Sequence, residues 1–329
     1  MKKVLITGGA GFIGYHLADL LIRSNYHVDL LDNFSRGVND SAMKSLLENR
    51  NVNFFDINLL DKEELKNLNK DYSLIFHFAA IIGVKHVLKS PYDVLANNFK
   101  LLDNILNFAK NQKKLEKFIF ASTSEVYSGT LKFFGIEFPT TEKTPLTISA
   151  LDEPRTTYML SKIYGEALCL SSGVPSVIIR PHNFYGPRMG LSHVIPELMK
   201  KSIETNEQEI DVFSTNHSRS FCFIEDAVKM IKVLAESSKA VGESYNIGNE
   251  NEEIKMGDLA QKIIALTEKK LKINPMPSTP GSPERRCPGM TKFNEISDFQ
   301  PQYNLEQGLK KTYEWYSSKI FSKIEKSAI

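Results

Sequence analysis

The stretch Thr7-Gly8-Gly9-Ala10-Gly11-Phe12-Ile13-Gly14 joins an apolar run to a helical pattern that begins at Phe12. Its glycines at positions 8, 11 and 14 are spaced three apart. In a turn from a strand into a helix, the first such glycine permits the tight turn. The second lets the backbone approach a pyrophosphate, and the third lets helix and strand pack closely. Because the free N–H groups at a helix start favour phosphate, this turn predicts a dinucleotide site.

The rest of the first half repeats the order of strand and helix. Apolar runs typical of buried strands alternate with helical patterns as far as residue 181. The predicted strands are Lys3–Thr7, His27–Asp32, Val52–Asp56, Leu74–His77, Lys117–Ala121 and Ser176–Arg180, and the predicted helices are Phe12–Arg23, Asp61–Leu68, Tyr92–Lys110 and Thr157–Ser171. Strands separated by helices predict a parallel sheet that is covered on both faces. The expected fold class is therefore α/β, with a Rossmann-type doubly wound parallel sheet.

Beyond Pro181 the pattern changes, since proline and glycine cluster at residues 187–190 and 275–288. We predict a dinucleotide-binding Rossmann domain over residues 1–181, to which a strand and a helix return from about residues 210–247. A smaller mixed α/β lobe over residues 182–329 is expected to bind the substrate. Residues 129–154 are rich in proline and threonine and weakly periodic, which predicts a loop. A loop of this length is usually functional or mobile.

The composition argues against several classes of protein. A net charge of +2 over 329 residues is too close to balance for a nucleic-acid-binding surface. The apolar run after Lys3 is too short for a secretory signal, and no stretch approaches the roughly 18 apolar residues of a membrane span. Cys169, Cys222 and Cys287 lack the spacing of a disulfide framework or of metal ligands. We expect a cytoplasmic protein without a metal, a nucleic-acid partner or a membrane partner.

An acidic residue follows the glycine turn at the distance expected for a nucleotide pocket. Asp32 ends the second predicted strand, 18 residues after Gly14. Its carboxylate can accept hydrogen bonds from the adenosine ribose and would repel a 2′-phosphate. NAD is therefore favoured over NADP, although Arg36 lies close in sequence. Asp56 ends the third strand and is placed to reach the adenine, whereas we expect His77 to be a packed, hydrogen-bonded histidine.

A tyrosine and a lysine four residues apart form a candidate catalytic pair. Tyr158 and Lys162 lie on one face of the predicted helix Thr157–Ser171. An ammonium group beside a phenol lowers the pKa of the phenol towards that of a usable general base. The fifth strand runs directly into residues 122–127, which place hydroxyls and a carboxylate at its carboxyl end. Open parallel sheets bind their ligands at that edge.

Together these motifs resemble the extended short-chain dehydrogenases, the group of nucleotide-sugar epimerases, dehydratases and decarboxylases. The resemblance covers nearly the whole chain and rests on the glycine turn, residues 32–34, 56–57 and 77–80, Asn98, residues 123–127, Tyr158 with Lys162, and residues 180–188. It implies an NAD-dependent enzyme, a nucleotide-diphosphate sugar as substrate, and a homodimer. Helices 92–110 and 157–171 would form the dimer interface, with apolar surface from Val94, Leu95, Leu101, Leu102 and Ile105, although core packing also has a use for these residues.

The same resemblance implies roles for individual residues. Tyr158 would be the general base, Lys162 would also hold the nicotinamide ribose, and Thr123 would bind the substrate hydroxyl that is oxidised. The implied cofactor-binding residues are Gly8, Gly11, Phe12, Ile13, Gly14, Asp32, Asn33, Asp56, Ile57, Ala79, Asn98, Tyr158, Lys162 and Pro181. The implied diphosphate-binding residues are Asn183, Arg188, Arg219 and Arg286. Arginine forks suit phosphate oxygens.

The net reaction stays open at this point. The triplet Thr123-Ser124-Glu125, the Pro154-Arg155 pair and the segment from Arg286 to Lys292 resemble UDP-glucuronate decarboxylases. GDP-mannose 4,6-dehydratases share the triplet, and Ser161-Lys162 is closer to epimerases, so a 4,6-dehydratase and a 4-epimerase remain alternatives. Alternation along an extended chain predicts that Glu125 faces the same side as Thr123, towards the carbon next to the oxidised one.

We therefore expect transient oxidation at sugar carbon 4, and we favour decarboxylation of a UDP-glucuronate-type substrate as the outcome. A non-catalytic NAD-binding sensor is a remote alternative, because Thr123, Tyr158 and Lys162 are all present. The sequence does not predict which nucleotide and sugar are used, nor the role of residues 128–153.

Overall fold

The computed structural model describes residues 1–279 and 282–321. The strands are β1 (Lys3–Thr7), β2 (His27–Asp32), β3 (Val52–Asp56), β4 (Leu74–His77), β5 (Lys117–Ala121), β6 (Ser176–Pro181), β7 (Phe184–Tyr185), β8 (Glu209–Phe213), β9 (Ser218–Ser220), β10 (Cys222–Phe223), β11 (Ser244–Ile247), β12 (Glu253–Lys255), β13 (Lys272–Met276) and β14 (Arg285–Arg286). The helices are α1 (Phe12–Arg23), α2 (Ser41–Leu47), α3 (Val84–Lys89), α4 (Pro91–Lys110), α5 (Ser128–Phe134), α6 (Pro154–Ser171), α7 (Val194–Glu204), α8 (Ile224–Glu236), α9 (Met256–Leu266), α10 (Thr291–Asn294) and α11 (Leu305–Tyr316).

A seven-stranded sheet with the order β11-β6-β5-β4-β1-β2-β3 forms the centre of the fold. Every neighbouring pair in it is parallel. The predicted α/β class and doubly wound sheet are thus confirmed. The six predicted strands also match the structure, apart from the extension of β6 to Pro181.

Buried apolar layers cover both faces of this sheet, as a parallel sheet requires. Alternate side chains of β1 point to opposite faces. Ile6 belongs to the layer that also contains Leu17 of α1 and Ile231 of α8. Leu5 belongs to the layer that contains Leu102 of α4. The two layers hold the strand ends rigidly at the edge where the site forms.

The segment that the sequence predicted to be a long loop contains helix α5. Gly129 of this helix passes so close to Thr147 that an added Cβ would lie 1.8 Å from the Thr147 carbonyl oxygen. Tertiary packing therefore supports a short helix whose own sequence is a weak helix former. The predicted helix Asp61–Leu68 is also wrong in extent, because only a 3₁₀ turn forms, over Glu64–Asn67. Helix α2 was not predicted.

Two elements from the second half of the chain join the central sheet. Strand β11 pairs with β6, and α8 packs against α1. The other late strands form small separate sheets, ordered β12-β9-β14, β10-β7 and β13-β8. We propose to keep the division of the chain at residue 181, with α8 and β11 as the segments that return. Within the described ranges no helix is long and apolar enough to cross a membrane, and all three cysteines are buried free thiols.

Candidate functional site

The carboxyl ends of β1, β4, β5 and β6 lie side by side in the sheet. Gly8 follows β1, Ala79 comes just after β4, Thr123 comes just after β5, and Pro181 ends β6. Strands β2 and β3 extend from β1 to one side, and β5 and β6 extend from β4 to the other. Such a reversal of strand order opens a crevice in which doubly wound sheets bind their ligands.

At two positions of the glycine turn, other backbone atoms lie so close that only glycine fits. Gly8 has a φ of +72°, and a Cβ added there would lie 2.8 Å from the backbone nitrogen of Ala79. A Cβ on Gly14 would lie 2.2 Å from the Gly8 carbonyl oxygen. At the start of α1, Gly11 offers no side-chain cap, so the N–H groups of Phe12 and Ile13 are open to a phosphate. The turn therefore fits a dinucleotide.

Asp32 closes the adenosine end of this crevice. Its Oδ2 accepts a hydrogen bond from the Ala10 N–H at 3.0 Å, and its Oδ1 accepts one from the Phe34 N–H at 2.8 Å. Burial raises the pKa of Asp32, although these N–H groups oppose the shift. Asp56 lies next to Asp32 in the strand register. Of the other predicted residues here, Asn33 is exposed and Ile57 is buried.

Asn98 shapes the wall that follows β4. Its Oδ1 accepts a hydrogen bond from the Ile81 N–H at 2.7 Å, and its Nδ2 donates to the Ile81 carbonyl at 3.0 Å. Asn98 therefore positions the loop that contains Ile81. His77 is the packed histidine that we predicted, because its Nδ1 lies 2.8 Å from the Thr7 hydroxyl. Burial lowers the pKa of His77 to about 3, so the ring is neutral.

Tyr158 and Lys162 lie one turn apart on α6, with the Lys162 Nζ 5.9 Å from the centre of the Tyr158 ring. The ammonium group donates to the Ala121 carbonyl at 2.7 Å. Burial lowers the pKa of Lys162 to about 8. The pKa of Tyr158 is raised, because burial and the charge of Glu125 outweigh a hydrogen bond with Thr123 and the charge of Arg36, which lower it. The lowering that the sequence predicted from Lys162 is therefore not found. Thr123, Tyr158 and Lys162 are thus brought together as the sequence predicted.

The backbone around Glu125 does not have the extended conformation that the sequence predicted. Residues 124–127 form a 3₁₀ turn, so the alternation expected of an extended chain does not apply. The Thr123 hydroxyl accepts a hydrogen bond from the Glu125 N–H at 3.3 Å, which starts the turn. The Glu125 carboxylate nevertheless interacts electrostatically with both Tyr158 and Arg286. The carboxylate is therefore close enough to act on both the candidate base and an arginine.

Arg219 and Arg286 face each other on neighbouring strands, in register between β9 and β14. The Arg219 guanidinium donates to the Ser218, Pro283 and Glu284 carbonyls and to the Ser282 hydroxyl. Burial and the charge of Arg286 lower the pKa of Arg219 to about 10. Burial lowers the pKa of Arg286 as well, and the nearby Arg155 adds to this effect. Such crowding of positive charge favours an anion.

The other two predicted diphosphate residues are engaged within the protein. Asn183 has a φ of +42°, and its Nδ2 donates to the Ser220 carbonyl at 2.9 Å. Arg188 forms an ion pair with Asp40, donates to the Val38 carbonyl at 3.1 Å, and lies 4.1 Å above the Tyr15 ring. The Asp40 carboxylate neutralises the charge of Arg188, whereas within the described residues the Arg219 guanidinium donates only to neutral groups, so we leave Arg188 out of the proposed diphosphate site.

Sequence reasoning missed two residues that the structure brings to this crevice. Arg36, which we considered only in relation to Asp32, lies close enough to Tyr158 and His193 for its charge to act to lower the pKa of each. His182 is 1% exposed and lies beside Ser124 and Arg286 in a pocket. Proximity between loops of separate strands leaves no periodic signal, so spacing alone does not identify these residues.

Comparisons with known proteins agree with this geometry. The sequence model described as "NAD dependent epimerase/dehydratase family" matches residues 4–248. The UDP-N-acetyl-alpha-D-glucosaminuronate decarboxylase of Bacillus cytotoxicus is 35% identical over 328 residues, which cover 96% of this chain and 98% of the relative.

Solved structures give the same result. An epimerase from Methanothermobacter thermautotrophicus superposes with a TM-score of 0.85 at 26% identity, covering 99% of this chain and 95% of the other. The UDP-glucuronic acid 4-epimerase of Bacillus cereus, solved with UDP-glucuronic acid and NAD, has a TM-score of 0.78 at 27% identity, with coverages of 96% and 99%. The chain described by this sheet, glycine turn and tyrosine–lysine pair therefore belongs to the NAD-dependent epimerase/dehydratase family and is an enzyme that uses NAD.

Proposed function

We propose that this enzyme oxidises a UDP-linked hexuronic acid at sugar carbon 4 and then releases its carboxyl group as carbon dioxide. The observation that carries the proposal is that the Glu125 carboxylate interacts electrostatically with both Tyr158 and Arg286. A carboxylate that acts on both the candidate base and an arginine suits a reaction in which a carboxylate on the carbon beside the oxidised one is lost as neutral carbon dioxide.

Each residue of the site has a separate role in the oxidation. Bound NAD supplies the hydride acceptor. The Tyr158 phenol oxygen takes the proton of the carbon-4 hydroxyl, and the Thr123 hydroxyl stabilises the phenolate by a hydrogen bond that lowers its pKa. Lys162 places its positive charge beneath the same ring. Asp32 and the glycine turn hold the dinucleotide that these residues serve.

The second step follows from the chemistry of the oxidised sugar. A ketone at carbon 4 makes the carboxyl group on carbon 5 part of a β-keto acid. The bond between carbon 5 and the carboxyl carbon breaks, its electron pair moves to the ketone oxygen, and carbon dioxide leaves. We assign to Glu125 the control of the proton that carbon 5 then receives.

Charge distinguishes this outcome from loss of water. Dehydration needs an acid that protonates the departing hydroxide, whereas loss of carbon dioxide from a β-keto acid does not. Arg286 interacts electrostatically with Arg155 and Arg219 as well as with Glu125, and an anionic substrate would neutralise this surplus of positive charge. Arg219 with Arg286 suits the diphosphate, and Arg155 suits the sugar carboxylate. The similarity to the decarboxylase of Bacillus cytotoxicus supports the same choice.

Glu125→Gln tests the assignment. We expect the variant to form NADH from a UDP-hexuronate, because oxidation depends on Tyr158 and Lys162. Release of carbon dioxide should fall by at least about 10²-fold, the low end for general acid–base catalysis. Absorbance of NADH and the mass of the sugar nucleotide measure the two steps separately.

Tyr158→Phe is the matched control, because it should lose both signals. Full product formation by Glu125→Gln at unchanged mass would make the protein a 4-epimerase. Loss of the mass of water in the wild-type product would make it a dehydratase. Either result would contradict decarboxylation.

A further inference from the structure

The dinucleotide loop, residues 33–40, follows Asp32 and lies against the glycine turn. The Val38 N–H donates to the Ala10 carbonyl at 3.3 Å, and a Cβ added to Gly37 would lie 2.6 Å from the Ala10 Cβ. Five of the eight residues of this loop are exposed. A loop with so little burial gains little order from its own packing.

Arg188, which lies in the lobe beyond residue 181, holds this loop through its guanidinium. The group forms an ion pair with Asp40, donates to the Val38 carbonyl at 3.1 Å and lies 4.1 Å from the centre of the Tyr15 ring. The Arg188 side chain is only 3% exposed. The Asp40 carboxylate also accepts a hydrogen bond from the Met43 N–H at 2.8 Å, so the same pair fixes the start of α2. Charge-assisted hydrogen bonds of this kind are stronger than neutral ones.

The backbone of Arg188 is strained. Its φ of +69° is in the left-handed region, as is the φ of +42° at Asn183. This conformation is uncommon for residues that carry a Cβ, and the surrounding contacts must stabilise it. The side chains of both strained residues bond to distant segments, Asn183 to Ser220 and Arg188 to Val38. The strain therefore coincides with the contacts that join these segments.

Residues 183–189 connect the dinucleotide loop with the proposed diphosphate site. At the start of this segment, the Asn183 Nδ2 donates at 2.9 Å to the carbonyl of the residue that follows Arg219. Strand β7 within the segment pairs with β10, which follows the Arg219 strand along the chain. Near its end, the Pro187 carbonyl accepts a hydrogen bond from the His16 Nε2 of α1 at 2.9 Å. A continuous set of bonds thus runs from Arg219 to the loop.

We propose that Arg188 is a positioning residue for the cofactor, which holds the dinucleotide loop in its binding conformation and couples NAD binding to binding of the nucleotide diphosphate. A loop that is already ordered loses less conformational entropy when NAD binds. A diphosphate bound at Arg219 steadies the segment that carries Arg188, and the loop with it. The coupling rests on the proposed function, which places the diphosphate at Arg219, whereas the effect on NAD alone does not.

Arg188→Met tests the effect on NAD. The variant loses the ion pair and the bond to Val38, and we expect the dissociation constant of NAD to rise by at least about tenfold, the effect of one charged hydrogen bond. Arg23→Met is the matched control, because Arg23 pairs with Asp19 on the exposed surface of α1. Its affinity for NAD should equal that of the wild type. Isothermal titration measures the dissociation constants, and the binding stoichiometry separately shows any loss of folded protein.

An unchanged dissociation constant in Arg188→Met would overturn the proposal. Asp40→Asn checks the result from the other partner, since it keeps a side-chain oxygen that caps α2 but lacks the charge. It should weaken NAD binding in the same direction. The double variant should bind NAD no more weakly than Arg188→Met, because both substitutions act on one pair. Losses that multiply in the double variant would contradict the role of the pair.

UDP distinguishes positioning from direct contact with the diphosphate. Without NAD, Arg188→Met should bind UDP as tightly as the wild type. A loss of UDP affinity as large as the loss of NAD affinity would mean that Arg188 binds the diphosphate, and would overturn the positioning role.

The coupling is measured by titrating each ligand in the presence of the other. In the wild type, UDP should tighten NAD binding by at least about fivefold, and linkage requires NAD to tighten UDP binding by the same factor. In Arg188→Met this factor should fall to one. Independent binding in the wild type, or full coupling in the variant, would refute the link. If UDP does not bind the wild type, the proposed function is wrong, and the NAD affinities still decide the role of Arg188.

Discussion

Two effects oppose each other at Lys162. We propose that its positive charge acts in the site, whereas its burial disfavours that charge. Its side chain is buried, and its Nζ donates a hydrogen bond to the Ala121 carbonyl and lies 5.0 Å from the Phe120 ring centre. Desolvation lowers its pKa from 10.5 to about 8. A residue with the role that we propose for Lys162 would favour the reaction at the expense of the stability of the fold.

Linkage gives the sign of this cost. Below pH 8 the lysine is charged in both states, and the burial penalty is fully present. Between pH 8 and 10.5 the unfolded chain holds the proton that the folded chain has lost, so stability rises with pH. We expect Lys162→Met to be more stable than the wild type by about 3 kcal/mol at pH 7, with the difference vanishing towards pH 10.5.

Urea unfolding of the cofactor-free protein between pH 7 and 10 measures this difference. Lys310→Met is the control, because Lys310 is exposed on α11. A gap between Lys162→Met and the wild type that stays constant with pH would show that burial does not set the cost.

At the scale of the elements, a buried ion pair holds α6 against β6. The Arg180 Nε and Nη2 donate to the two Glu166 oxygens at 2.9 and 2.6 Å, and Arg180 Nη1 donates to the Tyr127 hydroxyl at 2.8 Å. The Ser122 hydroxyl also donates to Glu166. These bonds hold α6, which carries Tyr158, against the carboxyl end of β6.

Removing one partner should therefore be costly. Glu166→Ala leaves the Arg180 charge buried, and we expect the free energy of unfolding to fall by roughly 3–5 kcal/mol. Glu63→Ala breaks the exposed Lys66–Glu63 pair and should change it by less than about 1 kcal/mol. Urea unfolding compares the two variants. Similar small losses in both would mean that the buried pair does not anchor α6.

At the scale of the whole molecule, α4 and α6 pack together on one side of the subunit. Of the five residues that the sequence predicted for the interface, Leu95 is half-buried, and core packing within the chain buries Val94, Leu101, Leu102 and Ile105. The outer surface of the same helices instead exposes Tyr92, Phe99, Tyr164 and Leu170. Phe99 and Tyr164 lie side by side, 5.2 Å apart between ring centres. A cluster of exposed apolar side chains favours an interaction surface.

We expect a homodimer through this surface. Sedimentation at micromolar concentration should show twice the chain mass of 37.3 kDa. Phe99→Glu should convert the dimer to a monomer, because a symmetric interface meets each substitution twice. Phe134→Glu, on an exposed part of α5, should leave the dimer unchanged. A wild type that sediments only at the mass of one chain would contradict the interface.

The parts of this structure that the sequence determined are those that depend on local sequence patterns. Strands β1 to β6 are short apolar runs, so each can be recognised in the sequence without knowing which segments pack against it. The glycine turn and the Tyr158–Lys162 pair are equally local, because a strand–turn–helix and a single helical turn set their geometry. Sequence alone therefore predicted the sheet, the dinucleotide site and the candidate base.

Contacts between distant segments decided the rest. Glu125 and Arg286 interact electrostatically although nearly half of the chain separates them, and His182 lies 3.1 Å from the Asn246 Oδ1 on β11. Arg188 pairs with Asp40, which precedes it by more than a hundred residues in the chain. Hydrogen bonds and ion pairs act over a few ångströms in space whatever their separation in sequence, so only the folded chain shows which charges and lone pairs stay free for a ligand.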